Sequence, residues 1–325
     1  MWKQLLFVAI LTCTSFGTGA ASAPTVSYPN KPIRLIDGFS SGGGSDVLGR
    51  IIGTKITERW GQPVIVDNRP GVASALAAEL VARSIPDGYT LFIVVTIALA
   101  PSPSLNPKLG FDLMKDFSYI SLVANSTYLL LANPSIPAKT VSELVAFTRS
   151  QPKAIRYGSN GATGPSHLTM ALLQRSTGIE LLHVPYRSAP AVLVAMTSGE
   201  VQIGTASLMA ALPLITAKRV NVLAVTSAKR IAALPNVPTV AEAGVDGYDV
   251  SPYFGILGPT GMPANIVAQL NKEIREIVQT DDVRTKFASQ GAEAGGSTPA
   301  EFKSIMQAEM VKWARLIKDA QITAN

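Results

Sequence analysis

The chain has 325 residues, 47% of them hydrophobic and 15% charged, with one cysteine, two histidines and a formal net charge of +6. That length predicts roughly two domains with sizeable cores, and the composition excludes a disordered chain, which is poor in hydrophobics and rich in charge. One cysteine excludes a disulfide framework, so few Cys and His argue against a zinc site, and the modest charge suits an anionic small molecule at least as well as nucleic acid.

Lys3, the apolar run 5–11 and the small residues 19–23 come in the order of a secretory signal peptide. The run is too short for a membrane span; a buried N-terminal strand or helix is the alternative. Cleavage after Ala23 follows an Ala-x-Ala pattern but leaves Pro24 first, and cleavage after Ala21 is the other option. Either would remove Cys13, whose neighbours do not match a lipid-anchor cysteine, and a thiol-free mature chain suits an oxidising compartment. Removing residues 1–23 takes away Lys3 and no acid, leaving +5. The longest later apolar run, 91–100, is far below the roughly 20 residues a span needs. A secreted or periplasmic location is expected.

Residues 33–36 read as a buried strand, followed by a Gly-rich turn at 40–45 and a helix from near Asp46 to Trp60, where Gly61 ends it. A strand at 64–66, a helix at 73–84, a Pro-Asp-Gly turn at 86–88 and a strand at 90–95 follow. Beyond a Pro/Asn-rich stretch at 101–107, strands are predicted at 129–131, 155–157, 181–183, 201–203 and 222–225. Thr140/Glu143, Thr239/Glu242 and Thr298/Glu301 have capping-box spacing. The last opens a helix whose apolar stripe is Phe302, Ile305, Met306, Trp313, Leu316, Ile317 and Ala320. Continuous apolar strands separated by helices predict an α/β protein with mostly parallel sheets covered on both faces.

Catalytic signatures are missing. There is no Gly-x-Ser-x-Gly elbow and no P-loop, and Val47 breaks the dinucleotide fingerprint after Gly42. His167 and His183 have no carboxylate nearby in sequence, and His183 reads as structural. Lys and Arg are scattered, with no basic, aromatic-interleaved stripe, so no nucleic-acid partner is expected. No metal and no cofactor are expected either.

Two strand–turn–helix segments stand out. In the first, Ser40-Ser41-Gly42-Gly43-Gly44-Ser45-Asp46 lets the backbone approach a ligand, and a helix start presents free N–H groups with positive partial charge. The alternative is a flexible loop capped by Asp46. The second, Gly158 to Leu168, contributes Asn160, Thr163 and Ser166 as neutral donors suited to a carboxylate. In open α/β sheets ligands lie at the carboxyl ends of strands, where both turns fall.

Tyr28-Pro29-Asn30-Lys31-Pro32-Ile33, Phe39-x-x-Gly42-Gly43-x-x-Asp46 and Val66-Asp67-Asn68-Arg69-Pro70-Gly71 together resemble the tripartite tricarboxylate transporter substrate-binding family, the Bug receptors. Pro86-Asp87-Gly88-Tyr89-Thr90-Leu91, Val184-Pro185-Tyr186-Arg187, the stretch 238–244 and the stretch 255–263 extend the resemblance over nearly the whole mature chain. Three departures stand out: Ser188 replaces a common Gly, residues 72–74 are Val-Ala-Ser where small or Gly residues are usual, and Ala171 replaces a frequent Glu.

The resemblance implies a two-lobed periplasmic clamshell, type II-like, with lobe one at 24–124 and 251–325 and lobe two at 125–250. It implies a monomeric receptor for a small carboxylate, a dicarboxylate or aromatic acid, serving membrane transporter components. Phe39 would wall the pocket, Ser40, Ser41, Gly42, Gly43 and Ser45 would donate, and Asp46 would orient the helix start. Asn160, Gly161, Thr163, Ser166 and His167 would clamp from lobe two, with Thr96, Thr205, Ala206 and Ser207 as further lining. Signalling to a membrane sensor kinase needs the same clamshell and is the first alternative; a hydrolase using His167 and a neighbouring serine is the second.

Overall fold

The computed structural model describes residues 28–322 apart from 72, 73, 107 and 162. The leader reading, its cleavage sites and Cys13 lie outside the described residues. The first part of the chain runs β1 (Ile33–Asp37), α1 (Gly44–Trp60), β2 (Val64–Asn68), α2 (Ala75–Ala82), β3 (Thr90–Val95), α3 (Thr96–Leu99), α4 (Ser102–Leu105) and β4 (Phe117–Ser126). It continues through β5 (Tyr128–Ala132), α5 (Val141–Ser150), β6 (Arg156–Ser159), α6 (Pro165–Thr177), β7 (Leu182–Pro185), α7 (Ala189–Thr197), β8 (Ile203–Ser207), α8 (Leu208–Thr216) and β9 (Asn221–Val225). It closes with β10 (Tyr253–Pro259), α9 (Ala264–Val278), α10 (Asp281–Ser289), β11 (Ala292–Ala294) and α11 (Pro299–Asp319).

The strands form two sheets flanked by helices, ordered β11-β4-β10-β3-β1-β2 and β7-β6-β8-β5-β9. The sheets are mixed, which corrects the expectation of mostly parallel strands. β1 pairs parallel with β2 and β3, and β6 with β7 and β8, because a helix returns the chain to the same end each time. The chain leaves the first sheet along β4 and comes back along β10, so that pair is antiparallel. It enters the second sheet along β5 and leaves along β9, with the same result. Apolar runs alone do not encode this direction.

Local signals account for most boundaries. Gly61 ends α1 in the left-handed conformation (φ 70°) with its N–H on Thr57 O at 2.9 Å. The reciprocal box of Thr298 and Glu301 opens α11, and Phe302, Met306 and Trp313 of its stripe are fully buried. Ala320 lies just beyond the helix and is exposed. Thr140 caps α5, but the Glu143 carboxylate takes the Lys139 N–H rather than that of Thr140. The Thr239/Glu242 box also closes, at 2.9 Å in both directions, yet it secures a turn and not a helix: Gly244 (φ 97°) stops the chain within five residues. The apolar run at 91–100 divides into β3 and α3, both buried. No helix among the described residues is long and apolar enough to cross a membrane.

The chain passes between the sheets at Thr127 and returns after residue 250. Thr127 and Thr226, both 1% exposed, lock this junction. The Thr127 hydroxyl accepts from the N–H groups of Thr226 and Ser227, the Thr226 hydroxyl donates to Val250 O, and Ser126 N–H reaches Pro252 O at 2.9 Å. Two buried hydroxyls thus satisfy backbone groups that neither sheet can pair.

Candidate functional site

Register places both Gly-rich turns at this junction. β10 runs antiparallel to β3 and to β4, so β1, β3 and β4 all end at the edge from which the chain leaves the first sheet. Tyr128, at the start of β5, pairs with Ser207 at the end of β8, so β8 and its parallel neighbour β6 end at the junction too. The turn after β1, residues 38–43, and the turn after β6, with Asn160, Gly161, Thr163 and Gly164, therefore both lie at this junction.

The first turn is built on two buried carboxylates. Asp37, fully buried, accepts from Ser45 Oγ at 2.9 Å, Phe39 N–H at 3.1 Å and Asn68 Nδ2 at 3.3 Å. Burial pushes its carboxyl up to about 7 although the Ser45 and Phe39 bonds oppose this. Asp46 accepts from Gly42 N–H at 2.9 Å and Ser41 Oγ at 3.2 Å and pairs with Arg50 at 2.8 Å. Burial raises its pKa, but the bonds from Arg50 and Gly42 prevail and hold it below the usual carboxylate range. Gly38 admits no side chain: a Cβ there would lie 2.3 Å from Ser74 Oγ.

Several expected donors are thus already engaged within the loop. Ser41, Gly42 and Ser45 shape it, and Gly43 N–H leans on Ser40 O at 3.4 Å. Phe39 is half-buried, and Ser40 is exposed with its hydroxyl free among the described hydrogen bonds. The open donors are the first-turn N–H groups of α1, since its N-cap, Gly43, supplies no side-chain bond.

The second turn has the same plan with different groups. Its helix α6 starts behind Gly164, also without a side-chain cap, with Pro165 in the first turn. The Ser166 hydroxyl accepts from Asn160 N–H at 2.9 Å and donates to Asn160 Oδ1, leaving the amide nitrogen of Asn160 and the Thr163 hydroxyl as open donors among the described bonds. Gly161 takes φ 110° with open space where a Cβ would be.

One ring nitrogen of His167 is engaged within the fold. Its Nδ1 meets Tyr157 OH at 2.8 Å, and its ring stacks on His183 at 4.1 Å between centroids. Burial, then the neighbouring His183, lowers its pKa to about 4, and burial lowers that of His183. His183 Nε2 lies 2.6 Å from Ser159 Oγ. This is no hydrolytic dyad: Ser159 is fully buried, its hydroxyl lies 2.9 Å from Gly161 O, and no described carboxylate bonds either imidazole.

The remaining lining residues divide. Thr96 accepts from Tyr253 N–H at 3.2 Å, tying the start of α3 to β10. Thr205 is buried on β8 with no partner for its hydroxyl among the described residues. Ala206 packs into a second apolar core on the other side of that sheet, and Ser207 caps α8. Sequence reasoning gave no role to Asp37, Asn68, Tyr157 or Ser159 and read His183 only as structural. An acid at the end of an apolar strand, before a glycine, was the available signal for the first. No group of three His, Cys, Asp or Glu residues among the described residues could hold a metal. A separate groove of about 820 Å³ between α6 and α11 includes Arg175, Lys312 and Arg315 but no residue of either turn.

The sequence profile described as "Tripartite tricarboxylate transporter family receptor" matches residues 48–322. The chain is 30% identical over 320 residues to Protein BugT of Bordetella pertussis, covering 98% of each. In structure it is similar to R. palustris Rpa4515 with adipate, at TM-score 0.83 and 32% identity, over 91% of this chain and 99% of that one. It is also similar to MatC (Rpa3494) from Rhodopseudomonas palustris with bound malate, at TM-score 0.80 and 28% identity, over 89% and 100% of the two chains.

Proposed function

Given that the chain belongs to the tripartite tricarboxylate transporter receptor family, whose members are periplasmic solute-binding receptors and not enzymes, we propose that it captures a small organic carboxylate between its two sheets. A dicarboxylate or aromatic acid held there would be delivered to the membrane components of a tripartite tricarboxylate-type transporter. The lobes we assign are 24–124 with 251–325 and 125–250, following a leader at 1–23, and the receptor works as a monomer.

One observation carries this reading: two helices, α1 and α6, each start behind an uncapped glycine at the same junction. Their free N–H groups favour anions without a charged side chain. Ser40, Thr163 and Asn160 add side-chain donors, Phe39 walls the pocket, and Thr205 supplies a hydroxyl. Closure follows because a ligand touching both turns binds the closed form more tightly than the open one.

Both relatives carry aliphatic dicarboxylates, which is where a screen starts. Thermal shifts with adipate, malate, citrate, benzoate and their amides test the proposal. An acid at 100 times its Kd adds about 2.7 kcal/mol and a clear rise in Tm. A rise with a neutral amide and none with any acid would overturn it.

A further inference from the structure

We infer that His183 is a positioning residue for the second turn, acting through the Ser159 hydroxyl to fix the Gly161 carbonyl and with it the donors of residues 160–167. This rests on the reading that the turn faces the ligand. The argument begins with one proton. Ser159 Oγ lies 2.9 Å from Gly161 O and 2.6 Å from His183 Nε2. A carbonyl only accepts; with the hydroxyl proton on Gly161 O, the Ser159 oxygen accepts and His183 donates from Nε2. The tautomer is set by that bond.

Gly161 O also accepts from Gly164 N–H at 3.2 Å, so two donors hold the turn's carbonyl inward. Gly161 itself, at φ 110°, gives the backbone no preference for this shape. The relay therefore supplies the constraint that glycine lacks. His183 is well placed to anchor it. In the β6–β7 register it pairs with Tyr157, and its ring is stacked on Tyr157 at 4.9 Å and on His167 at 4.1 Å. The bond of Tyr157 OH to His167 Nδ1 joins the two rings that pack on His183. Tyr157 and His167 lie side by side with centroids 6.0 Å apart and back the same face of His183, which holds its plane and so the angle of its N–H, and burial of both imidazoles favours the uncharged form.

The test uses the mature full chain with three variants, His183→Leu, His183→Gln and Ser159→Ala. Nitrogen-15 NMR reads the His183 tautomer and the exchange of the Gly164 amide without ligand, and calorimetry reads affinity for whichever panel acid shifts Tm most. The expected result is an Nε2–H tautomer. His183→Leu and Ser159→Ala each lose about tenfold in affinity and speed Gly164 exchange, whereas His183→Gln, which keeps a donor, stays within about threefold. The double variant Ser159→Ala/His183→Leu is no worse than either single one. An Nδ1–H tautomer, or equal losses in His183→Leu and His183→Gln that track a fall in Tm, would overturn the inference. If no panel acid binds the unaltered protein, the proposed function fails, while the tautomer and Gly164 exchange still decide the relay.

Discussion

The turn after β1 is braced by carboxylates, and the turn after β6 by imidazoles and hydroxyls. In the first, Asp37 and Asp46 accept from the loop; in the second, His183 donates into it through Ser159. Each leaves a glycine-capped helix start open at the same junction. On the proposed reading, an anion meets free backbone donors at the surface of each turn, and the groups underneath hold the backbone still. The difference also gives Asp37 and His167 opposite responses to pH.

That opposition is the largest effect to look for. Asp37 is raised to about 7 from an ordinary value of 3.8, so its contribution to stability is fully present below about pH 4 and lost as pH rises through about 7. His167 is lowered to about 4 from 6.5, so its contribution is present above about pH 6.5 and lost as pH falls through about 4. At the limit these amount to about 4 kcal/mol for Asp37 and about 3 kcal/mol for His167. Urea unfolding between about pH 7 and about pH 4 should show Asp37→Asn losing stability more steeply on acidification than the unaltered protein, and His167→Gln less steeply. Parallel curves for both variants would break the comparison.

Next in size is Asp46→Ala. It strands the Gly42 N–H and removes the ion pair to the half-exposed Arg50, so it should lower stability by about 1 kcal/mol in urea unfolding and weaken carboxylate binding about tenfold. Smaller still is Thr163→Ala, which removes an open donor and no internal bond. Its expected mark is a loss of about fivefold in affinity by calorimetry with Tm unchanged. An unaltered affinity in Thr163→Ala would take that side chain out of the site.

Much of the fold was legible in residue pattern. Strand and helix alternation, the Gly61 stop and the Thr298/Glu301 start all reflect short-range chemistry written in adjacent residues. Strand direction was not, because it depends on where the chain crosses between sheets, and Thr127 marks that crossing with no local signature. The two turns were visible as glycine runs. Their internal wiring was hidden: Gly42 N–H is equally free or engaged until Asp46 is placed, and His167 and His183 meet only through the pairing of β6 with β7. The resemblance implied Ser41 and Ser45 as ligand donors, whereas in the folded chain both hydroxyls bond aspartates.

The most direct test of the central claim is an amide NMR titration of the mature protein with the carboxylate that gives the largest thermal shift. The account predicts that the amides of Gly44 and Ser45 at the start of α1, and of Ser166 and His167 at the start of α6, shift together with one Kd. Shifts confined to one turn, or to Arg175, Lys312 and Arg315 in the groove between α6 and α11, would contradict it.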